Sequence, residues 1–178
     1  MMIVKNIPRF AKSLSLLISL LFCALLSAFY HFKLIVNLST SVKYGLYRTV
    51  AGAIKPGDYI MLCLSEQYTK LGLGRGYLDP GSTCHGSQPL IKQVIAVPYT
   101  RVQLSQLFIQ IGNQRLDYRS KSVDSNKRKL TPYPSGSYQL NCYWLIGDYD
   151  IANSWDSRYW GCISPHEVLH KIRPLITW

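Results

Sequence analysis

Apolar and polar positions fall into two regimes along this chain. Residues 13–32 carry no Asp, Glu, Lys or Arg and are rich in Leu, Phe and Ala. About twenty such residues are what a helix needs to cross the hydrocarbon core of a bilayer. Beyond residue 33 the apolar runs shorten and are broken by Gly, Pro, Asn and Asp. That pattern predicts strands joined by turns. Strands are expected at residues 34–37, 59–64, 90–97, 138–146 and 172–178, with a strand pair across 101–111 and a hairpin turn over 111–116. Lys55-Pro56-Gly57-Asp58 marks a turn, and residues 39–45 a loop. Residues 66–87, dotted with glycines, read as loop; residues 118–137 read as a polar, basic surface excursion; residues 148–161 form a polar-aromatic loop, and 165–170 one helical turn. The expected fold class is mostly β, an antiparallel β domain behind one N-terminal transmembrane helix.

Charge and cysteine usage assign sides to this layout. Lys5, Arg9 and Lys12 precede the apolar block, so the positive-inside rule leaves residues 1–12 as a cytoplasmic tail. The block is long for a secretory signal and lacks a small-residue cleavage site, which makes it an uncleaved anchor over 13–33. Residues 34–178 then form one domain outside the membrane, facing the periplasm or its equivalent. The chain has 20 Lys+Arg against 9 Asp+Glu, a net charge of +11. The excess is dispersed and accompanied by no recognition motif, so the partner it implies is the membrane surface and no nucleic acid is expected. Of five cysteines, Cys23 lies in the anchor, leaving Cys63, Cys84, Cys142 and Cys162 in an oxidising space. Four cysteines allow three pairings. Local pairing across each intervening loop, Cys63–Cys84 and Cys142–Cys162, is the simplest.

Three segments carry candidate chemistry. Ser39 and Ser41 lie just past the anchor, Lys92 sits in an apolar strand before Val94-Ile95-Ala96-Val97, and a polar loop runs from Gly147-Asp148 through Ser154, Asp156-Ser157-Arg158-Tyr159 to Gly161. A serine needs a base to become a nucleophile. A lysine serves only when neutral, which from a reference pKa of about 10.4 demands a drop of roughly three units through desolvation. Lys92 is the lysine best placed for that. Lys43 is closer to Ser41 in sequence but lacks a desolvating strand.

These segments, in this order, resemble the boxes of type I signal peptidases. The boxes include Gly45-Leu46-Tyr47 and the run from Lys92 to Pro98, and the segments resemble more closely the TraF-type peptidases of conjugative transfer, specifically through Arg75-Gly76-Tyr77-Leu78, the Cys84 loop and Pro89-Leu90. The resemblance spans residues 37–178. It implies Ser41 as nucleophile, Lys92 as general base, Ser39 and the Ser41 N–H as oxyanion donors, Ser154 as the group orienting the lysine, and Asp156 with Arg158 as structural support. It implies a serine endopeptidase of the bacterial inner membrane with no cofactor. Its substrate would be a protein precursor, most simply a conjugative pilin subunit, cut and joined into a ring or simply cut. The alternatives are a general leader peptidase and a non-catalytic assembly factor of a secretion apparatus. The sequence departs from the family pattern at Lys43 and Tyr44, where a proline is usual, and at Gln93, where arginine is common.

Two motifs compete. His166-Glu167-Val168-Leu169-His170 has the spacing of a zinc-peptidase helix, but Pro174 cuts any helix short and no third ligand follows His170, so no metal is expected. Gly72-Leu73-Gly74-Arg75-Gly76 mimics a phosphate loop without its Gly-Lys-Ser/Thr ending.

Overall fold

A computed structural model describes residues 9–178. Lys5 and the first eight residues of the tail lie outside the described residues. The chain divides into two compact units, one ending at Ile35 and one spanning Val36–Trp178.

In the first unit a single helix, α1, runs Arg9–His31. Its segment Ser13–His31 is long and apolar enough to cross a membrane. Leu16, Leu17, Leu20, Leu21 and Phe22 are each at least 60% exposed. Large apolar side chains are exposed around this helix, the pattern of a candidate membrane span.

The second unit is built on two antiparallel sheets, whose first strand begins two residues earlier, in the first unit. The larger contains β1 (Leu34–Asn37), β2 (Gly45–Thr49), β3 (Tyr59–Leu62), β5 (Leu90–Ala96), β10 (Trp144–Ile146) and β11 (Val168–Thr177), in the order β1-β2-β11-β3-β5-β10. The smaller contains β6 (Arg101–Leu104), β7 (Ile109–Ile111), β8 (Gln114–Leu116) and β9 (Gly136–Gln139), in the order β8-β7-β6-β9. A short strand, β4 (Pro80–Cys84), stands apart from both sheets. The mostly β, antiparallel architecture is the one expected. Each sheet has its own core. Ile60, Leu62, Val94 and Leu145 pack with Trp160 beside the larger sheet, and Val102, Leu104, Ile109, Trp144 and Ile146 pack beside the smaller.

Residues 148–161 are not all loop, since Ser157–Trp160 form a short helix, α3, and three further expectations need correction. Residues 66–87 are not loop: Glu66–Arg75 is a helix, α2, and Pro80–Cys84 is a strand. Glycines at 72 and 74 argue against a helix on propensity, yet packing decides otherwise. A Cβ on Gly72 would meet Leu78 at 2.6 Å and Trp155 at 2.8 Å, so its absence is what lets both side chains lie on the helix. Gly76, at φ 69°, then ends α2 in a left-handed cap. The glycine run that mimics a phosphate loop is thus the last turn of α2 and its cap. Second, the single strand expected over 138–146 is two strands in different sheets: β9 pairs with β6, and β10 pairs with β5. The segment passes from one core to the other, so apolar residues continue through the crossing. Third, His170 lies within β11, while Pro165–Glu167 form only a 3-10 turn. The two histidines therefore do not share a helical face. Among the described residues no group of His, Cys, Asp or Glu is arranged to hold a metal.

Disulfides join Cys63 to Cys84 and Cys142 to Cys162. Cys23 is free and exposed on α1.

Candidate active site

The loop between β1 and β2 carries Ser41, and a buried asparagine shapes it. Asn37, 4% exposed, donates through its amide to the carbonyls of Ser39, Val42 and Lys43, at 3.0–3.1 Å, and accepts from Ser39 N–H and Ser39 Oγ. One side chain thereby supplies the partners that a tight, irregular backbone lacks. Tyr47 adds a hydrogen bond from its hydroxyl to the Lys43 carbonyl, 2.7 Å. Ser39 is exposed, and its hydroxyl donates to Asn37 Oδ1. Lys43 is exposed. Across the gap, Asp150 N–H donates to the Thr40 carbonyl, which ties this loop to the polar loop after β10.

Lys92 lies in the middle of β5, directly opposite Ile60 of β3. It is 1% exposed. Its Nζ donates to Ser41 Oγ at 2.8 Å and to Ser154 Oγ at 2.7 Å. Burial pulls its pKa down to about 8, although Asp156 and Asp148 attract the charged form. The three side chains singled out in separate segments of the sequence are thus brought into one hydrogen-bonded chain.

The polar loop is held by a buried ion pair. Arg158 Nε and a terminal guanidinium nitrogen each donate to one oxygen of Asp156, both at 2.8 Å, with the side chains 3% and 0% exposed. The same guanidinium donates to the carbonyls of Arg119, Ile151 and Ser154. Asp156 in turn accepts from Gly147 N–H and from Arg158 N–H. A buried pair in which every nitrogen and oxygen has a hydrogen-bond partner fixes geometry more than it adds stability. Here it fixes the backbone on both sides of Ser154.

Gly147 shows how tight the assembly is. A Cβ there would lie 2.3 Å from Ser154 Oγ and 2.8 Å from the Ser41 carbonyl. Only glycine allows the end of β10 to pass between them.

Several residues of the site were given no role from the sequence. Asn37 stands at the edge of a segment of interest, but nothing in a lone asparagine announces five hydrogen bonds. Ser157 is buried and accepts from Leu145 N–H at 2.9 Å, joining α3 (Ser157–Trp160) to β10. Asp148 accepts from the Tyr59 hydroxyl, and burial together with that carboxylate raises the Tyr59 pKa well above the usual phenol range.

Ser41, Lys92 and Ser154 line a cleft of about 450 Å³, together with Ser39, Tyr77, Asp79, Lys121, Asp124 and Trp155. A cleft of this size, with a half-buried hydroxyl against a desolvated amine, can bind an extended segment of polypeptide and attack one of its carbonyls.

Comparison with known proteins places the chain among peptidases. A family model described as signal peptidase, peptidase S26, matches residues 8–178. The chain is 29% identical over 150 residues to the plasmid transfer protein TraF of Escherichia coli, covering 80% of this chain and 82% of that protein. It is 31% identical over 147 residues to the conjugal transfer protein TraF of Agrobacterium tumefaciens strain 15955, with the same coverages. Among solved structures, a signal peptidase I from Enterococcus faecalis V583 aligns with 68% of this chain and 98% of that one, at 18% identity and a TM-score of 0.37. Since the family model accounts for nearly the whole length, the chain belongs to the peptidase S26 family, the signal peptidases.

Proposed function

We propose that this peptidase is a membrane-anchored serine endopeptidase in which Lys92 is the general base for Ser41. The observation that carries the reading is the double hydrogen bond of the buried Lys92 amine to Ser41 Oγ and Ser154 Oγ. With its pKa lowered to about 8, a sizeable fraction of Lys92 is neutral at mildly alkaline pH. The neutral amine keeps an N–H on Ser154 and takes the Ser41 proton into its lone pair as Ser41 Oγ attacks the scissile carbonyl. The tetrahedral oxyanion is met by the Ser41 N–H and by the Ser39 hydroxyl, which leaves Asn37 Oδ1 to do so. Collapse passes the proton to the leaving amine and leaves an acyl ester on Ser41. Asp156 and Arg158 hold the Ser154 loop and take no part in proton transfer.

We assign the tail at 1–12 to the cytoplasm, the anchor at 13–33 to the inner membrane and the domain at 34–178 to the periplasm. Two disulfides in the second unit support an oxidising compartment for it. The substrate class is a secreted or membrane precursor. The transfer names of the TraF relatives favour a conjugative pilin subunit over the clientele of a general leader peptidase. An ester on Ser41 is open to water and equally to an amine held nearby, so a pilin whose own N-terminus reaches the cleft would leave as a ring.

The decisive experiment replaces Ser41 and Lys92 by alanine in turn and follows precursor processing. Each folded variant is expected to lose processing, and retained processing in either removes the dyad. The mass of the mature pilin separates the two products, since a ring is one water lighter than the linear chain and has no free N-terminus.

A further inference from the structure

Two excursions that belong to neither sheet meet at the cleft. One is α2 with the turn that follows it; the other is the polar segment at 118–131. They are joined by a cluster centred on Asp124, whose side chain is 5% exposed. Its carboxylate accepts from the Tyr77 hydroxyl, from Arg128 Nε at 2.7 Å, and from the N–H groups of Asn126 and Arg128 at 2.9 and 2.8 Å. Arg128 also donates to the Arg75 carbonyl at 2.8 Å, and Arg75 returns a bond to the Lys129 carbonyl at 2.8 Å. These bonds span 47 to 54 residues of chain. Tyr77 and Asp124 line the same cleft as Ser41 and Lys92. So does Asp79, which is exposed and whose carboxylate has no hydrogen-bond or ion-pair partner among the described residues.

The cluster thus forms part of the wall of the cleft that holds Ser41 and Lys92, with an unpaired carboxylate beside it. We propose that this wall selects the substrate: Tyr77, Asp124 and Arg128 position it, and Asp79 reads charge, favouring a precursor with a basic residue near the scissile bond. The inference rests on Ser41 and Lys92 being the reacting pair. Asp124, Tyr77 and Arg128 act through the shape they hold, while Asp79 meets the substrate. The Arg128 charge already neutralises Asp124, so Asp79 is the open anion of this wall.

The test uses the full chain in lipid nanodiscs and a pool of randomised peptides, with cleavage read by mass spectrometry. Tyr77→Phe keeps the ring and Asp124→Asn keeps the shape, but each weakens the clasp. Both are expected to flatten residue preference and to raise KM by about tenfold, the equivalent of one hydrogen bond to a charged group, with the loss falling on KM more than on kcat. Asp79→Asn is expected to remove the preference for basic peptides, a change of about fivefold for an exposed charge. Wild-type selectivity in folded Tyr77→Phe and Asp124→Asn overturns the positioning role. A basic preference undiminished in Asp79→Asn overturns the charge reading. If Asp124→Asn does not fold, Tyr77→Phe and Asp79→Asn decide the matter alone, since one keeps its ring and the other makes no bond to lose. Cleavage that persists in Ser41→Ala overturns the underlying mechanism, an outcome separate from either.

Discussion

Lys92 combines two demands that oppose each other. A charged amine at 1% exposure is destabilising, and that destabilisation is what leaves a fraction of it neutral, as the proposed general base must be, near working pH. Activity is therefore expected to climb with pH and level off above about 8, following deprotonation of Lys92. A pH–rate profile of kcat/KM checks this, and Lys92→Arg, which cannot deprotonate, should be inactive throughout. The same shift has a thermodynamic face. Below pH 8 the folded protein holds a proton on a group that would rather titrate in water, at a cost of about 3 kcal/mol for a drop from 10.5 to about 8. Between pH 8 and 10.5 the unfolded chain binds the extra proton, so stability rises with pH. Urea titrations should show wild type gaining on Lys92→Met across that window, and a constant difference would contradict the buried amine. Gly147→Ala is the complementary test of tightness. With 2.3 Å to Ser154 Oγ, the added methyl must push Ser154 off the amine. A displacement of that order is expected to lower kcat by about 10²-fold while circular dichroism stays unchanged.

At the scale of elements, the sequence was most readable where alternation and turns coincide. The strands around Ile60, Lys92 and Val102 follow from short apolar runs set between Gly, Pro and Asp, and the structure has strands at each. The serine, the lysine and the polar loop could be singled out because each box is contiguous in sequence. What was not readable depends on partners far away. α2 looks like loop because its glycines were weighed without Leu78 and Trp155, which need the space. β9 and β10 look like one strand because periodicity does not say which of two cores an apolar side chain enters. Asn37 was silent because four of its five hydrogen bonds are to backbone, which any sequence supplies. Asn37→Ala should therefore uncouple loop order from fold. It is expected to leave the sheets intact while lowering acylation of Ser41 by a fluorophosphonate probe, and unchanged labelling would show that the loop holds itself.

The molecule as a whole joins an apolar helix to a β unit with an excess of positive charge. If the domain lies outside the inner membrane, Leu107→Cys, at an exposed position, should react with an impermeant thiol reagent in cells with a permeabilised outer membrane. Labelling only after lysis would reverse the orientation. In unreduced, denatured protein taken out of the membrane, Cys23 should be the single native thiol that reacts. Each disulfide closes a loop of about 20 residues, for which chain entropy predicts about 3 kcal/mol of stabilisation, so Cys→Ala pairs should unfold at clearly lower urea. The Cys63–Cys84 bond also reaches beyond stability. It ties the end of β3 to the strand behind α2, and so anchors the stretch that carries Tyr77 and Asp79 into the cleft. A newly made chain in a reducing cytoplasm lacks that tie. If the second unit lies outside the inner membrane, the cleft is expected to be completed only after export, so that arrival and activation coincide and precursors still inside the cell are spared premature cutting.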